Sequence, residues 1–534
     1  MRKWWPLVAV SLGAFILLVD VTIVNVALPD MGDDLHATFS SLQWVVDAYA
    51  LSLAALLLVA GSLADLFGHR RLYVAGLTLF ALASLGCGLA PNAGVLVAAR
   101  AVQGAGGAAM FATSAALLGA TYQGRDRGTA FGIWGAVNGA AAAAGPILGG
   151  LLTEHIGWEA IFLVNLPIAA AAVLLTLRVV RADRPRAAGA RRTRVDIPGA
   201  VTFTLAAAAL TYGLIRSAES GWTSATVLTS FAVTAAALVG FVLAETRAGR
   251  RGGVPMLDLA LLRRPSFAGL MGGALLFQGG AFGGLVLVSI WLQSVLGLGP
   301  VESGLALTPM AVASFLVAAL AGRYTQRIAP RLPIGVGLLL VALGMYLLYT
   351  AMSADAGRSA LVLGLAVAGV GVGLATPVLV SAATGSVPPQ RMGMAAGAVN
   401  TFRQLGTSLA IAILGAVFTH AARADLSGAV PDAHGAASAL AGGQARRLVA
   451  AAPEEHRSAA EELVHRAFAD GLQSVFLWSA AAAVLGGLLT LALVRPAPPQ
   501  APTRAASESE SGSESGSDSG SGEAEPAREA AARA

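Results

Sequence analysis

Apolar residues in this chain gather in blocks of roughly 20, separated by short polar runs, and roughly 20 is the number a helix needs to cross the hydrocarbon core of a bilayer. Fourteen such spans are legible. The first six are Leu7–Leu28, Trp44–Leu63, Leu72–Ala90, Val95–Leu118, Phe131–Leu152 and Ala160–Leu177. Ile197–Ile215 and Ala225–Ala244 follow, and the last six are Phe267–Leu292, Gly304–Ala321, Leu332–Thr350, Ala360–Ser381, Met394–Thr419 and Leu472–Val494. Although Arg2 and Lys3 precede the first block, it is too long for the apolar region of a signal peptide and carries Asp20 and Asn25 inside it. It reads as a retained span.

The polar punctuation orients the array. With the N-terminus inside, the inner segments hold twenty-two Lys or Arg, while the short outer loops hold only Arg216 and Arg358. This positive-inside asymmetry places both termini in the cytoplasm of a cell inner (plasma) membrane. Residues 420–471 then form a long extracellular loop of mixed charge, with a surface helix expected over Glu454–Ala469. After Arg495 the Ser/Glu/Gly-rich run 496–534 cannot bury a core and is expected to be a disordered cytoplasmic tail. An internal repeat divides the rest. Shifting by 261 residues carries Gly61, Arg70 and Gly76 onto Gly322, Arg331 and Gly337, each group following the second span of a six-span half. The expected fold is therefore an all-α polytopic membrane protein. Residues 1–180 form one six-helix bundle, 181–265 a basic loop and two inserted helices, and 266–495 a second six-helix bundle.

Composition agrees and removes several function classes. The 534 residues are 56% hydrophobic and 12% charged, about half the charged fraction of a soluble domain. The single cysteine, Cys87, excludes a disulfide scaffold and a thiolate metal site. The net charge of +5 is accounted for by inner loops, with no call for a nucleic-acid partner. No Gly-rich loop ends in Gly-Lys-Ser/Thr, the seven histidines lack metal-ligand spacing, and Gly104–Gly107 follow no strand. No enzyme, metal or cofactor is expected. The partners expected are lipid, a small-molecule substrate and protons, on a monomer. The Ala/Arg/Gly-rich, Lys-poor usage points to a GC-rich bacterial genome.

Chemistry is sought where charges sit in hydrocarbon, which costs roughly 2.5–3.5 kcal/mol or more. Asp20 lies about 15 Å and Arg100 about 12 Å below the outer face, so the first and fourth spans can pair them. Such a pair is a workable proton switch, the carboxylate staying charged beside the guanidinium and taking a proton when they part. Its alternative is a static ion pair that fixes packing. Asp47 sits near the outer end of the second span, where it can assist protonation, meet cationic cargo or lie in interfacial water. Asn25, Gln103, Gln278, Asn400 and Arg403 are the candidate cavity residues. Gly61 and Gly68 permit a tight turn between the second and third spans, with Asp65 and Arg70 able to pair or cap nearby helix ends. In the fifth span Pro146 interrupts a run that includes Gly145, Gly149 and Gly150 and bears almost no side chains, a smooth face suited to sliding between halves.

Four of these stretches resemble the signatures of the major facilitator superfamily, specifically its fourteen-helix drug:proton antiporter family. They are Asp20-Val-Thr22-Ile-Val-Asn25-Val-Ala-Leu-Pro29, the Gly61–Arg71 loop, Arg100-Ala-Val-Gln103-Gly104-Ala-Gly106, and Gly145-Pro146-Ile-Leu-Gly149-Gly150. Met392–Ala412 is similar to that family's thirteenth helix. His69 stands where Arg or Lys is commoner, and Ala141 replaces a usual glycine. The resemblance covers about Leu7 to Val494. It implies proton-coupled export of small, largely apolar or cationic drugs, antibiotics or secondary metabolites. It also implies that Gly61, Asp65, Gly68, Arg70 and Arg71 latch a cytoplasmic gate. An importer of the same fold is the first alternative, disfavoured by the antiporter-like fifth span. The second is a non-transporting sensor or scaffold.

Overall fold

A computed structural model describes residues 2–37, 39–181, 196–250, 256–321 and 328–495. The tail 496–534, most of the basic loop after residue 181 and the second copy of the turn motif at Gly322–Arg327 lie outside the described residues. Fourteen long helices account for nearly everything else, and the described residues contain no strand. They are α1 (Trp5–Asp34), α2 (Phe39–Phe67), α3 (His69–Gly88), α4 (Ala93–Thr121), α5 (Gly124–His155) and α6 (Asn165–Val179). The inserted pair is α7 (Ile197–Ser220) and α8 (Ala225–Arg250). The second half comprises α9 (Pro265–Phe282), α10 (Pro300–Ala321), α11 (Arg331–Ala351), α12 (Ala360–Gly385), α13 (Met392–Leu426) and α14 (Arg457–Leu493). Thirteen stretches, one for each of these helices except α5, are long and apolar enough to span a membrane. Their outward faces carry Leu82, Val239, Leu320 and Leu363 at 60–64% exposure, a surface that only lipid can solvate.

Local chemistry sets the boundaries. The Asn92 carboxamide caps α4 by accepting from Val95 N at 3.0 Å, and Asp196 caps α7 by accepting from Gly199 N at 2.9 Å. Gly68 joins α2 to α3 through a φ of 103°, which a side-chain-bearing residue resists. At the start of the chain the Tyr122 hydroxyl accepts from Leu7 N (3.1 Å) and donates to Lys3 O (2.9 Å), and burial raises its phenol above its ordinary range.

The internal repeat is visible in the packing. A Cβ added at Gly76 would lie 3.0 Å from Gly106 O, where α3 crosses α4. One added at Gly337 would lie 2.8 Å from Gly371 O, where α11 crosses α12. Each half thus uses a glycine–glycine crossing between its third and fourth helices.

The segment 420–471 differs from expectation. There is no separate surface helix over Glu454–Ala469: after a 3-10 turn at Glu454–His456, α14 runs unbroken for 37 residues into the last span. At 1.5 Å per residue that is about 55 Å, far more than the roughly 30 Å hydrocarbon core. The excess meets the protruding end of α13 through a Phe418–Phe468 contact of 4.7 Å between ring centroids, with the short helix Ala433–Ala441 packed on α13 and Ala445–Ala451 on α14. Alternating small apolar and charged residues hide this cap from a hydropathy reading.

Candidate functional site

Five helices of the first half converge on one buried polar cluster. Asp20 (α1) is 0% exposed and Arg100 (α4) 1% exposed. Arg100 Nη1 donates to Asp20 Oδ2 at 2.6 Å and to Gln103 Oε1 at 2.7 Å, while its Nε donates to Val45 O on α2 at 3.0 Å. Gln103 Nε2 donates to Asp20 Oδ1 at 2.9 Å and to Ser84 Oγ on α3 at 2.7 Å. Asn165 Nδ2, at the start of α6, donates to Asp20 Oδ1 at 3.1 Å and to Ser84 Oγ at 3.3 Å. The Tyr49 ring lies 4.1 Å from Arg100 Cζ and the Phe162 ring 5.7 Å. Gly104 makes this possible, since a Cβ there would lie 2.5 Å from Tyr49 O and hold α2 away. Both charges are thus desolvated but fully partnered, the condition under which a buried ion pair is tolerated. Adding one proton to Asp20 removes the ion pair and leaves Arg100 still held by Val45 O, Gln103 and the two rings.

The depth count brings Asp20 to Arg100 as expected. Gln103, expected in a cargo cavity, instead lies inside this cluster as a ligand of both charges. Ser84, Tyr49 and Asn165 were missed, because single polar residues inside apolar spans carry no periodic signal. Asn165, just ahead of Pro167, was the most legible of them.

A second group joins the two halves at the face that bears the α2–α3 turn. Asp65 Oδ1 and Oδ2 accept from Gly393 N and Met394 N, each at 2.8 Å, so the carboxylate caps the N-terminus of α13. His69 Nε2 lies 3.1 Å from Asp65 Oδ1, and Arg70 Nη2 donates to Leu177 O on α6 at 2.5 Å. Arg71 is exposed on the first turn of α3. Gly61 does not form the turn. It lies within α2 where a Cβ would collide with Gly393 O, and Gly397 meets Leu57 O in the same way at 2.8 Å. Arg127, at the start of α5, completes the group: its Nη2 donates to Ser381 O (3.0 Å) and Thr384 Oγ1 (2.9 Å) at the end of α12.

The glycines of α5 divide their work otherwise than expected. Gly145 and Gly149 pack inside the first bundle, a Cβ at Gly145 colliding with Thr22 Oγ1 and one at Gly149 lying 2.9 Å from Ile23 O. Contact with the second half falls to Gly135 against Pro377, Gly139 against Ala311 and Ser314, and Gly150 against Val301. The face of α5 turned toward the second half is therefore the one bearing Gly135, Gly139 and Gly150. The side chains of Pro146 and Asn25 lie outside the described set.

In the second half Arg403 Nε donates to Gln278 Oε1 at 3.0 Å, while its Nη1 is buried without a partner. Asn400 is 1% exposed and neither end of its carboxamide has a partner. Trp134 Nε1 and Asn138 Oδ1 on α5 and Thr376 Oγ1 on α12 are in the same condition. Asp47 is half-buried on α2 and is not a free carboxylate. On the face opposite the α2–α3 turn, Asp30, Asp33, Asp34 and Glu159 line an open surface depression, with Trp158 Nε1 donating to Asp34 Oδ2 at 3.0 Å. The described residues contain no group of His, Cys, Asp and Glu able to hold a metal ion.

Comparison with known proteins places this geometry. The family model described as Major Facilitator Superfamily matches residues 10–411. The multidrug resistance protein Stp of Mycobacterium tuberculosis is 38% identical over 413 residues, covering 77% of this chain and 75% of Stp. The tetracenomycin C resistance and export protein of Streptomyces glaucescens is 35% identical over 511 residues, covering 92% and 91%. Among solved structures, the human organic anion transporter MFSD10 (TETRAN) matches with a TM-score of 0.59 at 14% identity, covering 91% of this chain and 99% of that one.

Proposed function

This chain belongs to the Major Facilitator Superfamily, and from that premise we propose that it exports small, largely apolar or cationic compounds in exchange for protons across the bacterial cell membrane. It is a multi-pass membrane transporter and not an enzyme. In this reading the face bearing the α2–α3 turn is cytoplasmic, which the arginine distribution supports, and the start of α1 and the end of α14 lie there. Relatives named for antibiotic resistance and export support the outward direction. The acidic surface depression at the other face suits the exit of cationic cargo.

The observation that carries the proton half is the fully buried Asp20–Arg100 pair. Open to the outside, Asp20 takes up a proton and its hold on Arg100 lapses, which loosens α1 against α4. Open to the inside, the proton leaves and the pair reforms. Cargo binds between the halves, where Asn400, Arg403, Trp134 and Thr376 retain unmet hydrogen-bonding capacity.

Accumulation of a fluorescent lipophilic cation in an efflux-deficient bacterial host tests this reading. The wild-type chain lowers accumulation, an uncoupler restores it, and Asp20→Asn behaves like the empty vector. Undiminished export by Asp20→Asn, or export against a gradient with pH and voltage differences collapsed, overturns the reading.

A further inference from the structure

Arg403 stands eleven residues beyond Met392, about 16 Å from the start of α13 and so near the middle of a roughly 30 Å hydrocarbon core. The neighbouring helix fixes its side chain. A Cβ at Gly406 would collide with Leu275 O, and one at Gly279 would lie 3.2 Å from Gly406 O, so α9 and α13 cross nearly backbone to backbone. One turn along α9 from Leu275, Gln278 Oε1 accepts from Arg403 Nε at 3.0 Å. Among the described residues that neutral amide is the only hydrogen-bond partner of the guanidinium, and Nη1 is buried without one. The side chain as a whole is only half-buried.

Arg100 shows what a guanidinium inside the bundle otherwise holds: a carboxylate at 2.6 Å, a backbone carbonyl at 3.0 Å and two aromatic rings. Among the described residues Arg403 has neither a carboxylate nor a ring. The two acids buried in the described helices, Asp20 and Glu245, are held by Arg100 and by Leu257 N. A cation at mid-membrane is costly unless it is paired or faces a cavity used by substrate or ion. Asn400 lies three residues earlier, hence beside Arg403 on the helix surface. It is 1% exposed, and neither end of its carboxamide has a partner. With Nε held by Gln278, the Nη1–Nη2 edge of Arg403 remains. Its two parallel N–H groups match the two oxygens of a carboxylate.

We propose that Arg403, oriented by Gln278 and assisted by Asn400, binds the anionic group of an organic acid, an apolar molecule carrying a carboxylate. This rests on the reading that cargo binds between the halves, and it extends that cargo to a charge class of opposite sign. Arg100 finds its counter-charge within the protein, whereas Arg403 receives one from the molecule it binds. An acid therefore gains an ion pair and a bidentate hydrogen bond that a neutral analogue of the same shape does not. Asn400 supplies a neutral donor and acceptor beside the charge, which suits a further polar atom of the same ligand.

The test measures binding by the full-length chain in phosphatidylcholine nanodiscs, so it does not depend on export or on proton coupling. Three probes of one shape are compared at neutral pH: pyrenebutyrate, its neutral amide and pyrenebutylamine. Saturable energy transfer from tryptophan to pyrene gives each Kd. The wild-type chain should bind the acid about tenfold or more tightly than the amide, and Arg403→Gln should erase that difference. Arg403→Lys, which keeps the charge and loses the fork, should retain part of it. A packing role is separated by the thermal midpoint. Arg403→Gln removes a mid-membrane cation, so the ligand-free midpoint should hold or rise while stabilisation by pyrenebutyrate is lost. If Arg403→Gln proves unstable, Arg403→Lys decides: an intermediate preference supports the site and an undiminished one overturns it. Equal affinity for acid and amide in the wild-type chain, or tightest binding of the amine, also overturns it. So does a preference that vanishes when phosphatidylglycerol is added, since a lipid headgroup then occupies the site. Failure of the export reading appears instead as unchanged accumulation of the lipophilic cation, and leaves these affinities as they are.

Discussion

At the scale of single residues the Asp20–Arg100 pair predicts an asymmetric response to mutation. Removing one partner of a buried ion pair strands the other charge and costs about 3–5 kcal/mol, whereas removing both is often close to neutral. Arg100→Gln should therefore lower the thermal midpoint of the purified protein sharply, as read by fluorescence-detected size exclusion. Asp20→Asn/Arg100→Gln should recover most of that loss while remaining unable to export. A double variant as unstable as Arg100→Gln would mean that Tyr49, Val45 O and Gln103 depend on the guanidinium itself and not on its charge balance. The pair was legible in the sequence because a helix converts position into depth, and two charges at one depth in hydrocarbon have little choice of partner. The neutral ligands were not legible. Whether Gln103 faces cargo or Asp20 depends on the rotation of α4, and Ser84 and Asn165 depend on which helices become neighbours. Neither quantity is encoded in a single span.

At the scale of helices, the same residue type serves two purposes that the sequence does not distinguish. Gly61 brings α2 against α13, across the two halves, and Gly145 brings α5 against α1, within one half. The positions of the spans followed from hydropathy, since lipid permits few alternatives to a helix there, whereas the extensions of α13 and α14 beyond their spans did not. Which glycine faces which partner did not, because a glycine-rich face is smooth toward any neighbour. Overpacking a close crossing costs about 1–3 kcal/mol, and the location of that cost decides the phenotype. Gly61→Ala should separate α2 from α13 and leave both bundles folded. A cysteine replacing the buried Met394 at that seam should then alkylate several-fold faster, Cys87 being too buried to contribute background. Gly145→Ala should leave that rate unchanged and lower thermal stability instead. Equal alkylation rates in the two variants would remove Gly61 from the seam.

At the scale of the whole molecule, the first bundle grips a single hairpin of the second. Asp65 holds the amide end of α13, and Arg127 holds the carbonyl end of α12, six residues before it in the chain. Each charge has the sign that its helix end attracts, negative at the amides and positive at the carbonyls. The two contacts therefore do not compete, and both bear on the turn that also carries Arg391 and its Asp258 link to the inserted pair. Hydrogen bonds to charged groups contribute about 1.5–3 kcal/mol each. Asp65→Asn or Arg127→Gln should accordingly shift the closed-to-open ratio of this face by about tenfold or more. If the hairpin moves as one body, either substitution already releases part of what the other contact holds. The double variant should then shift the ratio by less than the product of the single effects, a positive coupling of the kind seen between residues that share an element. Spin-label distances across α2 and α13 and across α5 and α12 measure both contacts in the same sample. Strictly multiplicative effects, with each substitution loosening only its own helix pair, would mean that α12 and α13 part from the first bundle independently and that the closed face is two separate latches.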